Sequence, residues 1–154
     1  MRVFLGSDHA GFALKGKLLA HLAALGHEVV DCGATTYDPE DGYPEFCFRA
    51  AMGAVSELGS LAIVIGGSGN GEAIAANKVS GVRCALAFSE ETARLGREHN
   101  DANVLSLGSR TTDEALAVRL AEIFVSTPFS GDARHARRIA QLAAFEKNGE
   151  LPTR

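Results

Sequence analysis

Three stretches of this chain hold residues that can move a proton or grip an anion. Ser7-Asp8-His9-Ala10-Gly11 sets a carboxylate beside an imidazole, directly after an apolar run. Asp8 can act there as a helix cap with His9 incidental, or the two can face a ligand. Gly66-Gly67-Ser68-Gly69-Asn70-Gly71-Glu72 packs four glycines into six residues ahead of an acid. Such a loop lets backbone N–H groups turn into one concavity, an anion-binding arrangement. It lacks the Lys-Ser/Thr of a P-loop and the G-x-G-x-x-G spacing of dinucleotide sites. It approaches the serine-hydrolase elbow G-x-S-x-G, but Asn70 stands where the last glycine belongs. Glu72 falls in a first helical turn, where the helix dipole favours an ionised carboxylate. A carboxylate beside an anion-binding loop is what enolisation requires: one takes a proton from carbon, the other stabilises the oxyanion. A glutamate that serves only the helix dipole is the simpler alternative. The third stretch is His99-Asn100-Asp101-Ala102-Asn103, where His99 alone reads as a helix C-terminal residue on the dipole. Basic residues follow: Arg110, then Arg134, His135, Arg137 and Arg138. Arg134 and Arg138 lie four apart on one helix face, and two guanidinium groups together suit a phosphate, as they also suit a solvated surface.

The elements that must position these residues follow from apolar runs alternating with amphipathic stretches, the βαβ pattern. Strands are predicted at 2–6, 28–32, 61–65, 84–87 and 104–107. Helices are predicted at 11–25, 44–57, 71–78, from the N-cap Ser89 to 99, from 112 to 127, and at 132–148. Gly26 ends the first helix, and Pro44 suits the first turn of the second. The run Leu61-Ala62-Ile63-Val64-Ile65 is apolar throughout, as a strand covered on both faces should be. The fold expected is a single-domain α/β protein: a doubly wound five-stranded parallel sheet in a Rossmann- or flavodoxin-like three-layer sandwich. Residues 1–148 form the domain, and 149–154 a flexible tail. Ligands of such sheets bind past the C-terminal strand ends where strand order reverses, between strands 1 and 3 in the common order. Both strands are followed here by the unusual polar loops.

The chain has 154 residues and a formal net charge of -4. That charge argues against a nucleic-acid partner, which needs a basic face. No run is long and apolar enough to span or anchor in a membrane, and the N-terminus does not read as a signal peptide. Cys32, Cys47 and Cys84 are odd in number and form no C-x-x-C. Buried free thiols in a reducing cytoplasm are therefore expected, without disulfides or structural zinc.

Ser-Asp-His-Ala-Gly, Gly-Gly-Ser-Gly-Asn-Gly-Glu followed by Ala75-Ala76-Asn77-Lys78, and Glu98-His99-Asn100-Asp101 together resemble the type B ribose-5-phosphate isomerases, a family that also holds galactose-6-phosphate isomerase subunits. The resemblance runs from Arg2 to about Glu146. Many members carry a cysteine at the position of Gly66 and use its thiol as the base. This chain instead resembles the actinobacterial branch, which uses a glutamate at the position of Glu72. The resemblance implies interconversion of D-ribose 5-phosphate and D-ribulose 5-phosphate through a cis-enediolate, in the pentose phosphate pathway, with no cofactor and no metal. It implies Glu72 as the base, His99 in opening the furanose ring, and Ser68 beside the enediolate. Asp8, His9 and Asn100 would contact the substrate. Gly67, Ser68, Gly69, Asn70 and Gly71 would bind the enediolate oxygens, and Arg110, Arg134 and Arg138 the phosphate. The same chemistry on a tetrose or hexose phosphate is the nearest alternative, and a nucleotide-binding flavodoxin-like module is a more distant one. Asp8, Ser68 and Glu72 follow strands whereas His99 and Asn100 precede one, so a homodimer with shared active sites is expected, with a tetramer as its alternative.

Overall fold

The structure, a computed structural model, describes residues 1–152, so positions 153 and 154 of the expected tail lie outside it. The strands are β1 (Arg2–Ser7), β2 (Glu28–Asp31), β3 (Leu61–Gly66), β4 (Cys84–Leu86) and β5 (Val104–Gly108). The helices are α1 (Phe12–Ala24), α2 (Tyr43–Ser56), α3 (Asn70–Ala76), α4 (Glu90–Asn100), α5 (Glu114–Ser126) and α6 (Ala133–Asn148). Every expected element forms, with small shifts at the ends. The local reasons hold as well. Gly26 takes φ +86° just past α1, a conformation that costs glycine little. Ser89 and Thr92 close a reciprocal capping box on α4. The Asp113 carboxylate accepts from the N–H groups of Ala115 and Leu116 at the start of α5.

All strands pair in parallel in the order β2-β1-β3-β5-β4. The reversal stays between β1 and β3. The last two strands, however, are exchanged relative to the common 2-1-3-4-5 order. β5 lies second from the edge and is buried throughout, whereas the three-residue β4 takes the edge and is only half-buried. Right-handed crossovers then dictate the layers. Moves toward the β4 edge put α2 and α3 on one face, and moves the other way put α1 and α4 on the opposite face, where α5 joins them.

Alternation along the strands feeds two cores. Val3, Leu5, Ile63, Ile65, Leu105 and Leu107 pack against α1, α4 and α5 through Leu18, Leu22, Ala93, Leu120 and Phe124. Phe4, Ala62 and Val64 pack against α2 and α3 through Cys47, Ala50, Ala54 and Ala76. α2 sits very close to β1: a β-carbon at Gly6 would stand 2.4 Å from the Phe46 carbonyl oxygen.

The connection from β2 to α2 is long and polar, and it is tied at its start. Lys15 of α1 is buried, and its Nζ donates to both Asp31 carboxylate oxygens at 2.7 Å and to the Ala34 carbonyl at 2.6 Å. A lysine is buried only when paired in this way. Its ammonium fixes where the loop 32–42 leaves the sheet.

Candidate active site

Glu72 lies in the first turn of α3, yet its side chain turns back toward the sheet and is buried. Its carboxyl occupies the space where a side chain on Gly66 would begin. A β-carbon built on Gly66 would stand 1.8 Å from Glu72 Oε1 and 2.1 Å from the carboxyl carbon. The absence of a side chain at the end of β3 is thus the condition for Glu72 to sit there. Burial pushes the Glu72 carboxyl above its ordinary pKa, and the Asp8 charge pushes the same way. The backbone N–H groups of Glu72 itself and of Gly69 pull against both. Burial of the Glu72 carboxyl thus outweighs the helix-start N–H groups that favour its ionised form, although α3 itself begins at the exposed Asn70.

The glycine loop is braced from β5. Gly66 and Gly67 carbonyls accept from the N–H groups of Ser109 and Arg110 at 2.8 and 2.9 Å. The buried Ser106 hydroxyl donates to the Gly69 carbonyl at 2.6 Å. Gly69 turns at φ +81°, and the chain enters α3. The Ser68 hydroxyl accepts from the Asn70 N–H and from Asn70 Nδ2, each at 3.3 Å. One loop N–H is thus already engaged within the loop.

Asp8, His9, Gly67, Ser68, Gly71, Glu72 and Arg110 line one cavity of about 520 Å³ at the C-terminal ends of β1 and β3, together with Ala10, Tyr43 and Thr111. The Asp8 carboxylate is buried and accepts from the Ala10 N–H at 3.0 Å. It caps a turn rather than α1, whose N-cap is Gly11. His9 is held from outside the cavity wall by Asp41, whose Oδ1 accepts from the His9 N–H and bonds His9 Nδ1, both at 2.8 Å. That hydrogen bond pushes the His9 pKa up against the opposing effect of burial, and Asp8 adds to it. Among the described residues, Asp8, His9 and Asp41 form one group of possible metal ligands, with atoms within 4.8 Å of one another. No sequence spacing signals it, because Asp41 arrives from a separate loop.

The other expected site residues lie elsewhere on the chain. Asn70 is exposed at the start of α3 and Gly69 is buried in the turn; neither lines the cavity. His99 and Asn100 end α4, on the side of the sheet where β5 begins. His99 stacks on His135 of α6 with ring centroids 4.2 Å apart and planes 13° apart. His135 is buried, which pushes its pKa down, and the nearby His99 and Arg134 push it further. Arg134 and Arg138 are exposed on α6, with Arg134 near Asp132 at 3.6 Å. Of the three expected phosphate-side arginines, only Arg110 reaches the cavity of its own chain.

Asp41, Tyr43, Thr111 and Ser106 escaped the sequence reading. Ser106 left a signal there: a hydroxyl in the middle of Val104-Leu105-Ser106-Leu107, inside a buried strand. Tyr43 packs so tightly that a β-carbon on Gly71 would stand 2.7 Å from its ring. The thiols differ from expectation. All three cysteines are free, but only Cys47 is fully buried, while Cys32 and Cys84 are intermediate because β2 and β4 are edge strands. Burial pushes the Cys84 thiol up to about 12. None of the three lines the cavity.

Residues 3–142 match the Ribose/Galactose Isomerase family. The chain is 55% identical over 152 residues to the ribose-5-phosphate isomerase B of Mycolicibacterium paratuberculosis, covering 99% of this chain and 96% of that one. It is 54% identical over 152 residues to the Mycobacterium tuberculosis protein of that name, covering 99% and 94%. A crystal structure of ribose-5-phosphate isomerase B from Mycoplasma genitalium with bound ribulose-5-phosphate superposes with a TM-score of 0.91 at 40% identity, covering 96% of this chain and 97% of that one. The type B ribose 5-phosphate isomerase of Trypanosoma cruzi gives 0.89 at 41% identity, covering 96% and 99%.

Proposed function

The chain belongs to the ribose/galactose isomerase family, and on that premise we propose that it interconverts D-ribose 5-phosphate and D-ribulose 5-phosphate in the pentose phosphate pathway. The observation that carries the reading is the Glu72 carboxyl seated at the side-chain position of Gly66, beside the glycine loop and inside the cavity with Asp8 and His9. Glu72 takes the proton from C2 of the open-chain aldose. The C–H electron pair becomes the C1=C2 double bond, and the carbonyl electrons collect on O1. The hydroxyl proton passes from O2 to O1, and Glu72 returns its own proton to C1 to give the ketose. A base whose pKa is raised toward working pH suits both halves of this cycle. Loop N–H groups at Gly67 and Gly71, with the Ser68 hydroxyl, face the enediolate oxygens, while the Gly69 N–H serves the Glu72 carboxyl.

Asp8 and His9 contact the sugar, with Arg110 on the phosphate side. His99 for ring opening, Asn100 on the sugar, and Arg134 and Arg138 on the phosphate come from a second subunit, so the working unit is a homodimer with shared sites. Two features support this. These four residues lie away from the cavity of their own chain, and a flank that includes the β4 edge and α6 leaves Ile74, Phe88, Leu142 and Phe145 exposed. Free thiols suit a reducing cytoplasm as the place of action. Among the described residues no helix is long and apolar enough to cross a membrane.

Steady-state rates on four-, five- and six-carbon aldose phosphates test the substrate. Ribose 5-phosphate should give the highest kcat/KM. A higher value on a tetrose or hexose phosphate would reassign the substrate and leave the chemistry in place.

A further inference from the structure

We infer that Asp41 is a positioning residue for His9: it grips the Nδ1 edge of the imidazole and so leaves Nε2 as the ring's hydrogen-bonding atom for substrate. Asp41 does not line the cavity, whereas His9 does. The same carboxylate oxygen, Oδ1, takes the His9 backbone N–H and meets its Nδ1, each at 2.8 Å. An ionised carboxylate only accepts hydrogen bonds, so Nδ1 must carry a proton. The neutral ring is therefore held as one tautomer, and the charged ring offers Nε2–H as a donor. The other oxygen, Asp41 Oδ2, is buried and has no partner among the described residues, where this carboxylate serves His9 alone.

The groups facing His9 point the same way. Asp8, from the end of β1, stands 4.0 Å from Nδ1. Tyr37, from the loop that carries Asp41, meets the ring edge-on at 6.4 Å. Glu72 of α3 and Arg110 after β5 line the same cavity. Two carboxylates close by favour the imidazolium, which suits a donor to an anionic or hydroxyl oxygen of a sugar phosphate. The simpler role, pinning the loop, is already filled at the other end by Lys15 on Asp31 and Ala34.

This inference rests on the isomerase reading for its kinetic consequence alone. The test labels the histidines of the full chain with ¹⁵N and follows them by NMR against pH, with His9→Gln assigning the His9 signals. In the wild type Nδ1 should stay protonated throughout, and Nε2 should titrate above the ordinary histidine value of about 6.5. In Asp41→Asn the midpoint should fall and the Nε2–H tautomer should appear. On ribose 5-phosphate, Asp41→Asn should lower kcat/KM by about 10- to 100-fold, the effect of removing a carboxylate that orients a metal-binding histidine, and mainly through KM. In the His9→Gln background the same change should cost less than about twofold, because the interaction is already gone. An unchanged His9 midpoint in Asp41→Asn, or equal losses in both backgrounds, would overturn the inference. Should Asp41→Asn fail to fold, the wild-type spectra still decide: a neutral His9 protonated on Nε2 would overturn it. The NMR arm uses no substrate, so it stands or falls apart from the isomerase reading.

Discussion

A methyl group on Gly66 has no room beside Glu72. The β-carbon of an alanine there would stand 1.8 Å from Glu72 Oε1. Comfortable contact begins near 3.4 Å, so the carboxylate must retreat by about 1.6 Å. Gly66 is not among the residues with positive φ, so alanine suits its backbone and steric overlap is the perturbation. Misplacing a reacting group by about 1 Å costs on the order of 10² in rate, so Gly66→Ala should lower kcat on ribose 5-phosphate by about 10²-fold or more. The cavity groups that hold the substrate are not displaced, so KM should stay within about threefold. Steady-state kinetics alongside a thermal melt separate lost chemistry from lost folding. A Gly66→Ala protein that melts like the wild type and keeps kcat within about threefold would refute the claim that the carboxylate must occupy this spot.

Three further outcomes follow from the same geometry. Burial raises the Glu72 pKa, so between the unfolded and folded values the native state holds the extra proton. The wild type then loses stability as pH rises through the folded value. Glu72→Gln should melt higher than the wild type at neutral pH, with the gap closing below the ordinary carboxyl value of about 4.3; equal melting at pH 7 would contradict a penalised buried charge. If sites are shared, mixing inactive His99→Ala and Glu72→Gln chains with subunit exchange makes about half the dimers hybrid, each with one intact site, so about a quarter of wild-type activity should return. No return, with exchange confirmed by mass spectrometry, would place each site within one chain. Ser106→Ala should cost about 0.5–1.5 kcal/mol, because the Gly69 carbonyl loses one of its two donors and keeps the Ala73 N–H; an unchanged melting temperature would show that β5 does not brace the loop.

The strands, helices and the β1–β3 crevice were legible because periodicity, caps and turn glycines are local properties. The exchange of β4 and β5 was not, since pairing order depends on which strand best fills the interior. The burial of β5 against the half-burial of β4 decides it only once the sheet exists. Asp8, His9, the glycine loop and Glu72 stood out because they crowd two loops that the fold class already marks. The separation of His99 and Asn100 from that crevice also followed from strand direction. Asp41 could not be read, because its meaning lies in a hydrogen bond across 32 residues of sequence to His9. The reach of Glu72 back to Gly66 was implied by the resemblance, since strand end and helix start flank one loop; what the sequence did not carry is how completely the carboxyl fills the space of a Gly66 side chain.

The most direct test of Glu72 as the proton-transfer base follows ribose 5-phosphate in D₂O by ¹H NMR. The wild type should form ribulose 5-phosphate and exchange carbon-bound hydrogen at C1 and C2 for deuterium. Glu72→Gln should bind the substrate with little change and slow both events by on the order of 10² to 10⁴. Wild-type rates of conversion and exchange in Glu72→Gln would contradict the account.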